Sequence, residues 1–283
     1  MGKAYVLYNK KAGKEEDIQA VENLTTVIEG ETELVEVSKI KSYQIFLSGL
    51  SEDDYIILCG GDGTINRFVN DTKEVDYKGE ILYFPVGTGN DFALDAGHKK
   101  GCKPFSLKEY IKDLPEVEVK GKTYRFLNGV GYGIDGYCCE VGDKLKAEGN
   151  KKVNYTTIAI KGLLFHYKPT DARVIVDGKH RGFKKVWIAP TMHGRYYGGG
   201  MIPAPEQKRN NPEKLLSVML FHGSGKLKTL MIFPSLFKGE HVKHTKNVTV
   251  LTGHEITVEF DSPRALQIDG ETILGVEKYT ARY

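Results

Sequence analysis

The stretch "LCGGDGTINR", Leu58 to Arg67, decides how the first half of this chain is read. The apolar run Tyr55 to Leu58 enters it as a strand, and Ile65, Phe68 and Val69 leave it on one helical face. Three glycines and one aspartate stand between them. Glycine carries an entropic cost in any ordered segment. A strand-to-helix turn this rich in it points to close approach of the backbone to a ligand, and phosphate is the ligand a helix N-terminus favours.

Outward from this turn, strand-like and helix-like pieces alternate. Ala4 to Tyr8, Leu34 to Val37 and Ile81 to Val86 read as further strands. Ile18, Val21, Leu24 and Ile28 repeat at helical spacing between the first two strands, and Ile40, Tyr43, Leu47 and Leu50 between the next two. Ser106 to Glu109 has the form of a capping box opening another helix. Such alternation implies a parallel sheet covered on both faces, with ligands beyond the carboxyl ends of its strands. Two more turns fall on that edge: Asn9 to Gly13 after the first strand, and Gly87-Thr88-Gly89-Asn90-Asp91 after the fourth.

The second half changes character. A helix is expected over Tyr155 to Phe165, and short strands follow. Arg173 to Lys179 turns at Asp177-Gly178, a pair that favours a hairpin. Val186 to Ala189, Leu215 to Phe221, Val248 to Leu251 and Ile256 to Phe260 continue the series. The reading is an α/β nucleotide-binding domain over 1–124 and an antiparallel β-sandwich domain over 125–283, with the last residues able to return to the first domain. A cleft between the two is the default place for a ligand.

Composition narrows the function. The chain has 283 residues, 40% of them hydrophobic, and a net charge of +3. That charge is too small to argue for nucleic acid. The four cysteines lack metal-ligand spacing, and adjacent Cys138 and Cys139 read as small packing residues. No signal-peptide pattern or spanning apolar run stands out, so a cytoplasmic protein is expected. The glycine turns match neither the dinucleotide fingerprint G-x-G-x-x-G nor the P-loop. A carboxylate, Asp62, inside a phosphate-cradling turn suits phosphoryl transfer, where a cation or a moving proton accompanies the phosphate.

"GGDGTIN" followed by "PVGTGNDFA" (Pro85 to Ala93) resembles the diacylglycerol kinase catalytic domain family of lipid kinases, which includes YegS-like, sphingosine and ceramide kinases. "NKKAGK", "YYGGGMIPAPE" (Tyr196 to Glu206) and "LQIDGE" (Leu266 to Glu271) extend the resemblance over nearly the whole chain. The resemblance implies an ATP-dependent kinase acting on a lipid hydroxyl, with diacylglycerol the first acceptor to test and Mg²⁺ neutralising the phosphates. It assigns Asn9, Gly13, Ser38, Gly60, Gly61, Asp62, Gly63, Thr64, Asn66 and Thr88 to ATP. It assigns Glu271 and Asp269 to activation of the hydroxyl, with Asp62 a rival base. A general base contributes roughly 10²–10⁴-fold.

Some relatives hold a structural magnesium through Asp-Gly-x-Leu. Here "NNPEKLLSV" puts Glu213-Lys214 in that place, leaving Glu213 and the Leu215 carbonyl as the matching ligands. Arg67 and Lys10 also depart from the pattern. The acceptor's chains would lie along Ile158 to Phe165 and Met231 to Phe237, and Lys144, Lys146, Lys151 and Lys152 would meet an anionic leaflet. The expected partners are therefore a lipid at a membrane surface and no nucleic acid, with a homodimer open. Two alternatives stand beside the lipid kinase: a kinase for a soluble alcohol such as NAD, and a non-catalytic nucleotide- or lipid-binding relative.

Overall fold

A computed structural model describes all residues except 1, 11–14, 88, 151 and 152. Gly13, Thr88, Lys151 and Lys152 therefore lie outside the described residues. The chain divides into two compact units, 1–114 and 115–283.

In the first unit β1 (Ala4–Tyr8), α1 (Glu15–Val27), β2 (Thr32–Glu36), α2 (Tyr43–Ser48), β3 (Tyr55–Gly60), α3 (Asp62–Asp71), β4 (Glu80–Pro85) and α4 (Asp91–Asp95) alternate as expected. The sheet order is β2-β1-β3-β4-β5, where β5 (Phe105–Ser106) is an antiparallel edge and the others run parallel. Strand alternation sorts the two faces. Val6, Ile57, Cys59, Phe84 and Val86 pack with Val21 and Leu24 of α1. On the opposite face Tyr5 meets Phe46 edge-on, and Tyr43 meets Phe68. The capping box does not form. Ser106 is spent on β5, where its hydroxyl donates to Glu80, and α5 (Lys108–Ile111) starts after Leu107.

The second unit begins at Pro115, before the boundary expected at 124. The reason lies in pairing: β6 (Glu116–Val119) and β7 (Lys122–Arg125) join the second sheet through β15. The remaining strands are β8 (Gly129–Tyr132), β9 (Thr170–Val176), β10 (Lys179–Val186), β11 (Thr191–Met192), β12 (Leu216–Phe221), β13 (Val248–Gly253), β14 (Glu255–Ile268) and β15 (Glu271–Arg282). They form one 10-stranded antiparallel sheet in the order β13-β12-β11-β8-β14-β15-β6-β7, with β9 and β10 attached at β14. The final residues pair in this sheet, where the Tyr283 amide donates to His254.

β12, next to the edge strand β13, is buried on both sides, as its unbroken apolar run requires. Leu216, Val218 and Leu220 enter one core with Tyr132, Phe260 and Tyr279. Met219 and Phe221 enter another, built with α6 (Ile134–Ala147), α7 (Tyr155–Lys161), a π turn over Gly162–His166, and Ile232 of α8 (Lys226–Ile232). The hairpin at Asp177-Gly178 forms as expected, with φ of 46° and 75°. No helix among the described residues is long and apolar enough to cross a membrane.

Candidate active site

Parallel pairing puts the ends of β1, β2, β3 and β4 on one edge of the first sheet, Gly60 level with Pro85. Asn9, Ser38, Gly60-Gly61 and Gly87 follow those ends in sequence. Ser38 turns to its own neighbour, its hydroxyl donating to Glu36 at 2.9 Å. The other three line a recess of about 40 Å³ with Tyr8, Asp17 and Thr64, room for about three waters or one phosphate group.

The glycines are needed because the two turns touch. A Cβ on Gly61 would lie 2.5 Å from the Gly89 carbonyl oxygen, and one on Gly87 would lie 2.6 Å from the Gly61 nitrogen. The amides of Asp62 and Gly87 bond across the contact, to Gly89 and Gly60. Asp62 locks it. Its carboxylate is 8% exposed and accepts from the N–H groups of Asp91 (2.8 Å) and Phe92 (3.0 Å) at the start of α4. That commits both oxygens to the second turn, which gives Asp62 a positioning place. The Tyr83 hydroxyl donates to Gly60 (2.9 Å) from beneath, and Asn90 donates to Gly87 (2.7 Å). Burial, then the Asp62 charge, pushes the Tyr83 hydroxyl well up, so it stays a donor.

Gly61 caps α3, whose N-terminal end therefore faces this edge with its partial positive charge. Asn66 is buried on the inner face of α3. Arg67 is exposed on the outer face, one turn from Asp71. These residues fit nucleotide phosphates: backbone pared to glycine, a helix N-terminus, and the Thr64 hydroxyl beside them. A Mg²⁺ bound with the nucleotide would neutralise the phosphate charge.

In the second unit the Asp-Gly-Glu segment is a two-residue hairpin turn between β14 and β15, with φ of 47° at Asp269 and 97° at Gly270. The two carboxylates part company. Asp269 is 9% exposed and turns inward, accepting from Leu127 (2.6 Å), Asn128 (2.8 Å) and Gly129 (3.0 Å). Glu271 is exposed at the first position of β15. Of the pair, Glu271 is the one at the surface, and Asp269 anchors the turn that carries it.

Glu213 is exposed, and the Leu215 carbonyl accepts from the Gln207 side-chain amide at 3.0 Å. That amide also donates to His193 at 3.1 Å. Among the described residues no group of three or more His, Cys, Asp or Glu side chains could hold a metal ion.

Residues 3–117 match the family model described as the diacylglycerol kinase catalytic domain. Residues 128–279 match the YegS C-terminal NAD kinase beta sandwich-like domain. The chain belongs to the diacylglycerol kinase family of lipid kinases. It is 25% identical over 232 residues to the diacylglycerol kinase of Bacillus subtilis, covering 79% of this chain and 73% of that one. The diacylglycerol kinase of Mycobacterium tuberculosis is 24% identical over 197 residues, 67% of this chain and 62% of that one. A crystal structure of a diacylglycerol kinase from Bacillus anthracis shares the fold, with a TM-score of 0.64 over 99% of this chain and 94% of that one, at 18% identity.

As a member of this family the protein is a kinase with an alcohol acceptor. Three further buried acids were given no role of their own by the motifs. Asp17, in the first turn of α1, lines the recess and pairs with Lys100 at 2.7 Å. Asp91 is buried next to Asp62, and its place in "GNDFA" was the available signal. Asp135, in the first turn of α6 after the glycine-rich "NGVGYG" (Asn128 to Gly133), is buried. Burial raises its pKa to about 6, against the opposing pull of the Gly136 and Asp135 amides and the Gln267 and Tyr197 side chains.

Proposed function

We propose that this protein transfers the γ-phosphate of ATP to a lipid hydroxyl, with diacylglycerol the leading acceptor and Mg²⁺ required. The observation that carries the reading is the pair of glycine turns locked by Asp62 around a phosphate-sized recess. Gly60, Gly61, Gly63 and Thr64 would bind the phosphates, with Asn9 at the rim. In the acceptor half, the Glu271 carboxylate would take the hydroxyl proton as the acceptor oxygen bonds to the γ phosphorus and ADP leaves.

Purified protein, Mg²⁺, ATP labelled at the γ phosphate and detergent-dispersed diacylglycerol give the test. Label in the solvent-extractable lipid fraction is the expected result. Label transferred only to NAD without lipid would move the assignment to a soluble alcohol. ATP binding with no transfer to any acceptor would make the chain a non-catalytic relative.

A further inference from the structure

The recess beside the glycine turns has an awkward charge. Among the described residues that line it, Asp17 is the one charged side chain. A carboxylate on the wall of a phosphate recess repels the ligand, and the repulsion grows where little water screens it. A cation brought to the same place would offset it.

Lys100 is such a cation. Its Nζ lies 2.7 Å from Asp17 Oδ1, and its side chain is 47% exposed against 5% for Asp17. The pair joins elements far apart in sequence, with Asp17 in the first turn of α1 and Lys100 in the loop after α4. That loop is pinned to the site. The Gly101 amide donates at 2.7 Å to the carbonyl of Pro85, which ends β4 one residue before recess-lining Val86. Gly101 makes this tie with φ of 74°, a left-handed conformation that glycine adopts freely. On the other side of Lys100 the His98 ring stacks on Phe105, 3.7 Å between centres. The backbone of Lys100 is thus held at the end of β4.

The two partners differ in their freedom. Asp17 is buried on a helix, so it stays where it is. The Lys100 ammonium ends a flexible four-carbon stem, and it is half exposed, so it can turn from the carboxylate to an anion beside it. The Thr64 hydroxyl and the backbone at the start of α3 offer neutral donors in the recess. A mobile ammonium adds the full charge they lack, and lysine binds phosphate as such a point charge.

We infer that Lys100 is a phosphate-binding residue of this site: its ammonium leaves Asp17 for a phosphate oxygen of ATP. Asp17 is the positioning residue, holding the ammonium beside the recess until phosphate competes for it. That the anion is a nucleotide phosphate rests on the reading proposed above; the hand-over rests on the Asp17–Lys100 pair.

Calorimetric titration of the full chain with ATP, with and without Mg²⁺, tests it on wild type, Lys100→Gln, Lys100→Arg and Asp17→Asn. Lys100→Gln should weaken ATP binding by about tenfold, the loss of one charged hydrogen bond. Lys100→Arg keeps the charge and should bind close to wild type. Asp17→Asn should act in the opposite direction and tighten binding severalfold, since the ammonium no longer leaves a carboxylate and the phosphate no longer faces one. Lys100 is half exposed, so its variants carry the test if Asp17→Asn does not fold. Lys100→Gln that binds ATP as the wild type does would overturn the inference. So would equal weakening in Lys100→Gln and Asp17→Asn, which marks a structural pair, or weakening of Asp17→Asn only with Mg²⁺ present, which marks a metal ligand. Lys100-dependent ATP binding by a protein that labels no acceptor would sink the proposed function and leave the hand-over standing. A wild type that binds no ATP would sink both.

Discussion

Asp269→Ala separates an anchoring carboxylate from a reacting one. The substitution removes the acceptor of three backbone N–H bonds, from Leu127, Asn128 and Gly129. Each bond to a charged group contributes about 1.5–3 kcal/mol. The three share two oxygens and the loop relaxes, so about 4 kcal/mol in total is the working figure. The same loop is held from its other side by buried Arg209, which donates to the Asn128 side chain at 2.7 Å, so loosening would spread. Trp187 is the chain's single tryptophan and sits buried in the second unit, so its fluorescence reports unfolding of that unit. The midpoint should fall by about 10 °C in Asp269→Ala. Exposed Glu271→Ala should stay within about 0.5 kcal/mol of wild type. Asp269→Ala that melts with the wild type while losing phosphoryl transfer would refute the reasoning and make Asp269 the reacting group.

Gly61→Ala places a methyl 2.5 Å from the Gly89 oxygen, so the turns must part. A loss of about 1–3 kcal/mol and of ATP binding is expected, read by denaturant unfolding and nucleotide titration. Asp62→Asn keeps one acceptor for α4 and should cost about 1 kcal/mol, with weaker ATP binding in the same titration. Asp135 holds its proton more tightly folded, at about 6, than unfolded, at about 3.9. Its contribution to stability is therefore complete below about pH 4 and lost as pH rises through about 6, a decline of about 3 kcal/mol. Urea unfolding across that window should show the decline in wild type and lose it in Asp135→Asn.

The first unit was legible because its signals are local. Each strand is a short apolar run, each helix repeats at one spacing, and the turns carry glycine where backbones touch. The second unit hid more, for reasons particular residues show. α6 reads poorly as a helix because Gly136 and Gly142 interrupt it. Both are forced by packing, since a Cβ on Gly136 would strike the Ala265 carbonyl, and one on Gly142 would lie 2.7 Å from the Tyr155 ring. The β14–β15 pairing slips register on either side of Arg264, so one strand period does not run through either segment.

At the site, the motifs named the glycine turns and the Asp-Gly-Glu hairpin. They could not tell which carboxylate faces inward. Asp269 is turned by amides some 140 positions back along the chain, a contact that no local spacing encodes. The apolar stripe expected to meet lipid likewise split: Ile158, Leu163, Ile232 and Leu236 are core, while Phe165 and Met231 are exposed. Lys144 and Lys146 proved to be ion-paired, with Glu140 and Asp143.

The most direct measurement is the turnover of Glu271→Gln beside wild type, with Mg²⁺, ATP and detergent-dispersed diacylglycerol. The account predicts transfer into lipid by the wild type, and a fall of roughly 10²–10⁴-fold in kcat for the variant with ATP affinity and unfolding midpoint unchanged. Equal turnover in both proteins would contradict the assignment of Glu271 as the group that takes the hydroxyl proton.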